Sequence, residues 1–166
     1  YAKDPSDRFE HLRQTRPDIL FSPVPWLADY LTPLPQDTAL WSSTLRHVDV
    51  GVNVASTVSL ELCMFDTPVV NVAFNPPSIA RSVADYERYH DLEHYRPVVT
   101  SGAASLATSP EMLAELVKRA IIDPSSGADG RARILQDFFG ATLDGRSANR
   151  VAEVLLDLTQ NGERRC

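Results

Sequence analysis

A chain of 166 residues, 43% hydrophobic and 23% charged, is long enough to bury one continuous core, and that balance argues against wholesale disorder. The formal net charge of −6 excludes general nucleic-acid binding, which needs a Lys/Arg surface to displace counterions from phosphates; a local basic pocket for one nucleotide stays open. The two cysteines, Cys63 in an apolar run and Cys166 at the last position, form neither a disulfide framework nor a zinc-spaced cluster, so a reducing, cytoplasmic compartment is expected. No apolar stretch approaches the roughly 18 residues of a membrane span. The sequence contains no Asn-x-Ser/Thr acceptor and no signal-peptide pattern, and it begins with Tyr1 rather than methionine.

Short β-rich runs alternate with helical patterns along the chain, as in parallel βαβ units. Asp18–Ser22 is a short apolar run ended by Pro23 and Pro25, and reads as a strand. A proline-interrupted loop follows up to Pro35. Residues 36–47 carry Leu40, Trp41, Thr44 and Leu45 at helical spacing. Val48–Val54 (VDVGVNV) is rich in β-branched residues and reads as a strand with Asp49, Gly51 and Asn53 on one face. Ala55, Ser56 and Thr57 lead into a helical pattern through Phe65, which Asp66-Thr67-Pro68 stops. Val69–Phe74 (VVNVAF) then reads as a strand covered on both faces.

Asn75-Pro76-Pro77 opens a polar loop with a short helical segment rich in Arg, Tyr and His. Pro97–Thr100 reads as another strand, Ser101-Gly102 as a turn and Ala104–Ala107 as a brief extended segment. Thr108 and Ser109 cap an amphipathic helix. Thr108 and Glu111 have capping-box spacing, Pro110 suits the first turn, and the apolar face runs from Met112 to Ile121. Arg131–Phe139 is a further helix closed by Gly140, and a last helix from Ser147 to Leu158 stops at Asn161-Gly162, with frayed residues after it.

Three places carry candidate chemistry. Ser56 and Thr57 lie where a parallel strand hands over to a helix, and ligands of open α/β sheets collect outside the carboxyl ends of strands. Two hydroxyls beside helix N–H groups can hold a phosphate, or a hydroxyl there can simply cap the helix. Glu61 is the lone charge of the helix that follows, placed either to accept hydrogen bonds from a ribose diol, or to face solvent at a sheet edge or form a structural ion pair. Arg81, Arg88 and Arg96 cluster in sequence with His90 and His94; they can neutralise a diphosphate or stand solvated. His90-Asp91-Leu92-Glu93-His94 also matches the H-x-x-E-H pattern of inverted zinc peptidases. Tyr95-Arg96-Pro97 would break the helix that such a zinc site needs, so no metal is expected. Asp144-Gly145-Arg146-Ser147 requires nothing beyond a turn and a helix start.

The run VDVGVNVASTVSLELCMFDTPVVNVAF, Val48 to Phe74, resembles the donor-binding motif in the C-terminal domain of GT-B-fold glycosyltransferases. That motif has a strand with an early Asp, a Ser-Thr turn, a Glu one turn into the helix, then a small turn with Pro and an apolar strand. Asp144-Gly145 followed by a helix is similar to the ending of bacterial capsule transferases and teichoic-acid glycerophosphotransferases. The resemblance implies an α/β fold: a Rossmann-like parallel sheet flanked by helices, half of a GT-B fold short of its first strand, over residues 1–160, with 161–166 as a tail. It implies transfer from a nucleotide-sugar donor used as substrate, with no further cofactor, in surface-polysaccharide biosynthesis. Ser56 and Thr57 would contact the donor phosphates and Glu61 the ribose, with Arg81, His94 and Arg96 toward the cleft; no catalytic residue carries over. The implied partners are an N-terminal acceptor domain absent from this chain, a glycan or lipid-linked acceptor, and peripheral membrane association of the complete enzyme. An isolated half is then expected to be inactive. A sugar-nucleotide epimerase-like domain and a non-catalytic α/β interaction domain are the alternatives.

Overall fold

The strand–helix–strand unit expected over Val48–Phe74 forms, and forms in parallel. In the computed structural model, which describes residues 9–21, 26–27, 32–77, 80–81 and 84–162, the chain divides after His47 into two units. In the first, α1 (Glu10–Thr15) precedes a two-residue antiparallel pair, β1 (Trp26–Leu27) with β2 (Thr32–Pro33), and α2 (Pro35–His47) follows. Of the apolar residues spaced along α2, Leu45 is buried while Leu40 and Trp41 stay exposed. The strand expected at Asp18–Ser22 is not formed over residues 18–21, and Ser22 lies outside the described residues. Arg16 chelates the Asp18 carboxylate through Nε at 2.9 Å and Nη2 at 2.6 Å, a local clasp that needs no ladder partner.

In the second unit β3 (Gly51–Asn53), α3 (Val58–Met64), β4 (Val69–Val72), α4 (Arg96–Thr100), β5 (Ala104–Ala107), α5 (Pro110–Ile122), α6 (Ala128–Phe139) and α7 (Ser147–Gly162) succeed one another, with a 3₁₀ turn at Arg88–Asp91. The strands pair in parallel in the order β3-β4-β5, with Asn53 opposite Asn71 and Asn71 opposite Leu106. This is an α/β architecture of a three-stranded parallel sheet flanked by helices. Two expected strands are shorter than their apolar runs, because pairing stops at Asn53 and at Val72.

Pro97–Thr100 is a correction, because it is helical. Its β-branched run favours a strand by propensity, but Pro97 occupies the first turn, where a missing N–H costs nothing. The Ser101 N–H then reaches Pro97 O at 3.0 Å, and the Thr100 hydroxyl donates back to Arg96 O. Helix α5 is capped by Ser109, whose Oγ accepts from Met112 N at 3.2 Å, and not by Thr108, whose hydroxyl points to Met112 Sδ. With the cap one residue later, Glu111 loses capping-box spacing. Its own backbone N–H first, and Ser109 second, hold its carboxyl below the usual range. Met112 and Ile121 of the expected apolar face are exposed. Helix α6 begins three residues earlier than expected and α7 runs on to Gly162; residues 163–166 lie outside the described residues.

Two close approaches fix the helices. A Cβ on Gly51 would stand 2.1 Å from Leu62 Cδ1, so α3 lies directly on β3. A Cβ on Gly130 would stand 2.4 Å from Gly102 C and 2.6 Å from Ser101 O, so the first turn of α6 presses on the backbone before β5. Helix α3 ends in a Schellman pattern, with Thr67 N bonded to Leu62 O and Asp66 N to Cys63 O, both at 3.0 Å, and Asp66 left-handed at φ 55°. Val70, Ala107 and Leu116 form an apolar core with Val50, Phe74, Leu113 and Val117 against it. By contrast, α7 carries Val151, Val154, Leu155 and Leu158 at helical spacing, yet all are more than half exposed. Among the described residues no helix is long and apolar enough to cross a membrane.

Candidate functional site

The carboxyl end of β3 is a tight polar turn. Asn53 ends the strand, Ala55 adopts a left-handed φ of 42°, and Ser56 and Thr57 lead into α3. Asn53 Oδ1 accepts from Ser56 N at 3.1 Å, and Ser56 Oγ accepts from Val58 N at 3.3 Å. Ser59 N and Leu60 N reach back to Ser56 O and Thr57 O at 3.0 and 2.9 Å. Most N–H groups at this helix start are therefore satisfied internally, and Ser56 acts as a cap. Thr57 differs: it is exposed, and its side chain makes no cap hydrogen bond.

Glu61 follows four residues after Thr57, so the two share a helix face. The buried residues of α3 are Ser59, Leu62 and Cys63, on the opposite side. That placement resolves the cost of a carboxylate in an apolar helix, since Glu61 is half-buried on the side away from the sheet.

Beneath the turn runs a buried polar chain that the sequence analysis did not identify. Asn71 Nδ2 donates to Tyr95 Oη at 2.6 Å, Tyr95 Oη and Ser59 Oγ are 2.7 Å apart, and Ser59 Oγ lies 3.1 and 3.3 Å from the Asn53 amide atoms. Ser59 and Asn71 are fully buried and Tyr95 nearly so. One direction satisfies every hydroxyl: Asn71 N–H to Tyr95, Tyr95 O–H to Ser59, Ser59 O–H to Asn53. Burial raises the Tyr95 phenol above its ordinary pKa, against the opposing pull of its bonds to Ser59 and Asn71. Among the described residues Asn71 Oδ1 keeps no partner. The signal in the sequence was Asn71 itself, a lone amide inside VVNVAF; nothing marked Tyr95 or Ser59.

Two arginines of the following loop are engaged locally. Arg81 pairs with both oxygens of Glu87 at 2.7 Å, and Arg96 Nη2 donates to Asp91 O at 2.8 Å. His94 is exposed in a turn. His90 is buried, its Nε2 donating to Val72 O at 3.1 Å, and its Nδ1 has no partner among the described residues. His90 and His94 thus share no α-helix; one lies on the 3₁₀ turn and the other beyond it. Among the described residues no group of three or more His, Cys, Asp or Glu side chains could hold a metal.

A cavity of about 140 Å³ opens at the other end of the sheet, where β4 and β5 begin against α5 and α6, with Arg119 and Arg131 in its wall. It falls below the roughly 300 Å³ at which pockets for drug-sized ligands begin, so a whole nucleotide does not fit it. Arg131 is 1% exposed, and its Nε donates to Asp66 Oδ1 at 2.7 Å. Nearby Cys63 has its thiol pKa pushed up to about 11 by burial, against an opposing pull from the Arg131 charge. No protein family matches the chain, and neither curated proteins nor solved structures yield a match.

Proposed function

We propose that this chain is the donor-nucleotide-binding domain of a glycosyltransferase, a Rossmann-like half of a two-domain enzyme that takes a nucleotide-activated sugar. The observation that carries the reading is the pairing of Thr57 and Glu61 on one face of α3, just past the carboxyl end of a parallel strand. Thr57 offers a hydroxyl to a phosphate oxygen, and the Glu61 carboxylate can accept hydrogen bonds from a ribose diol. Ser56 shapes the turn through its cap to Val58 N. The departing nucleotide diphosphate would be stabilised electrostatically in the complete enzyme, at the cleft with an acceptor-binding domain. Cytoplasmic surface-polysaccharide synthesis, with a glycan or lipid-linked acceptor, is the setting this reading implies.

A non-catalytic interaction domain is the second reading. It is favoured by the internal satisfaction of the α3 helix start and by the uncovered apolar face of α7. Titration of the ¹⁵N-labelled chain with UDP, CDP and CMP separates the two. Nucleotide binding shifts the Ser56, Thr57 and Glu61 amides saturably, and Glu61→Gln weakens that binding about tenfold, the worth of a charge-assisted hydrogen bond, with stability unchanged. Amides that stay put at millimolar nucleotide leave the interaction domain as the reading.

A further inference from the structure

We propose that the cavity at the amino ends of β4 and β5 binds a small oxyanion of phosphate size, at the end of the sheet opposite Ser56 and Thr57. The inference does not rest on the glycosyltransferase reading. Its centre is the Arg131 guanidinium. Nε donates to Asp66, Nη1 to Ser126 O at 2.9 Å and Nη2 to Pro124 O at 2.8 Å. Each terminal nitrogen carries two N–H bonds and uses one of them within the described residues. The side chain is 2% exposed, and buried donors without acceptors are costly. Arg131 lines the cavity, so an anion seated there would lie beside a guanidinium with donors to spare.

The surroundings favour an anion in that place. Asp66, the counter-charge to Arg131, has a side chain 69% exposed, so its charge is screened by water while the guanidinium stays desolvated. Arg119 on α5 also lines the cavity and forms no ion pair with any described residue, leaving the wall one positive charge in excess. Ser105 and Ser126 line the same space, and their hydroxyls hydrogen-bond to no described residue. Gly102 and Gly127 complete the rim in left-handed conformations, φ 80° and 81°, and a Cβ on Gly127 would stand 3.1 Å from Gly102 O and 3.4 Å from Arg131 Nη1. Two arginines and two serines around about 140 Å³ suit a tetrahedral oxyanion, which accepts from guanidinium and hydroxyl donors at once.

The test is a titration of the ¹⁵N-labelled full chain with inorganic phosphate at constant ionic strength, chloride serving as the exchanged ion. The expected result is saturable movement of the Gly102 and Gly127 amides and of the Arg131 Nε–H at millimolar phosphate, with Ser56 and Thr57 unmoved. Arg119→Ala, at an exposed position, is expected to keep the amide spectrum elsewhere and weaken phosphate about tenfold. Shifts that rise linearly, that chloride reproduces, or that persist at full affinity in Arg119→Ala overturn the site and show a water-filled cavity. Failure of nucleotide to bind would leave this result untouched, since the two titrations follow different resonances.

Discussion

Val70 and Asn71 are consecutive on β4 and equally hidden, at 1% and 0% exposure, but they face two different interiors. Val70 points into the apolar core with Ala107 and Leu116. Asn71 points the other way, as alternate strand residues must, toward Tyr95, Ser59 and the helix that starts at Thr57. One face is held by burial alone, at about 25 cal/mol per Å² of apolar area. The other spends buried volume on hydrogen bonds whose net worth is about 1 kcal/mol each, and whose loss costs more than their presence contributes. A sheet needing only stability could be apolar on both sides. The polar side lies under the proposed nucleotide turn, and it ties the position of Asn53, and through it the Ser56 N–H, to Tyr95, far along the chain.

The sharpest way to break this contrast is Gly130→Ala. Alanine favours a helix interior over glycine by about 1 kcal/mol, so propensity predicts stabilisation. The structure predicts the reverse: the added Cβ would stand 2.4 Å from backbone on the turn before β5, and a backbone neighbour cannot rotate away. A loss of about 3 kcal/mol or more is expected from urea denaturation at constant m-value. A neutral or stabilised variant would mean that α6 does not press on that turn.

Alkaline titration comes next in size and probes the layer of α3. The Cys63 thiol has its pKa raised to about 11 from an ordinary 9.0, burial being the main cause. A raised folded-state pKa means stability that is complete below the unfolded value and lost as pH climbs through the folded one. Between pH 9 and 11 Cys63 should therefore withdraw about 2 kcal/mol. Cys63→Ala, though less stable at neutral pH because of the space it leaves, should show a shallower decline across that window. Parallel curves for the two proteins would remove Cys63 as the cause, leaving Tyr95, whose phenol is also shifted upward, as the group responsible.

How much of this could be read beforehand divides along the same two faces. The parallel strand–helix–strand over Val48–Phe74 was legible because the first strand run is rich in β-branched residues, the second is nearly all apolar, and Pro68 stops the helix. The Gly140 terminus was legible because its φ of 53° suits glycine. Pro97–Thr100 was misread because a five-residue helix is too short to show a period, and its fate depends on Tyr95 being anchored below. The polar chain escaped because its members, Asn53, Ser59, Asn71 and Tyr95, carry no charge and no motif spacing, and only the register of Asn53 with Asn71 and the close approach of the Tyr95 hydroxyl to Ser59 bring them together. For Glu61 both outcomes were open, since sequence shows that a helix is mostly apolar but not which side its one carboxylate takes.

The smallest expected effect asks whether the polar face behaves as one unit. Tyr95→Phe removes the oxygen shared by Asn71 and Ser59, stranding the Asn71 amide in a site with no water access, and should cost about 1–2 kcal/mol. Adding Asn71→Leu, which fills a similar volume with apolar atoms, removes the stranded amide together with its already unpartnered Oδ1 and makes the position resemble Val70. Replacing both partners of a buried hydrogen bond by apolar groups is often nearly neutral, so the double variant should be more stable than Tyr95→Phe alone, with a coupling energy of about 1 kcal/mol. Strictly additive losses would mean that Asn71 and Tyr95 act separately. If the coupling appears while the Ser56 and Thr57 amides also move in both variants, the hydrogen-bonded chain does set the geometry of the turn above it, and the hydroxyl-lined start of α3 owes its shape to the hidden side of β4.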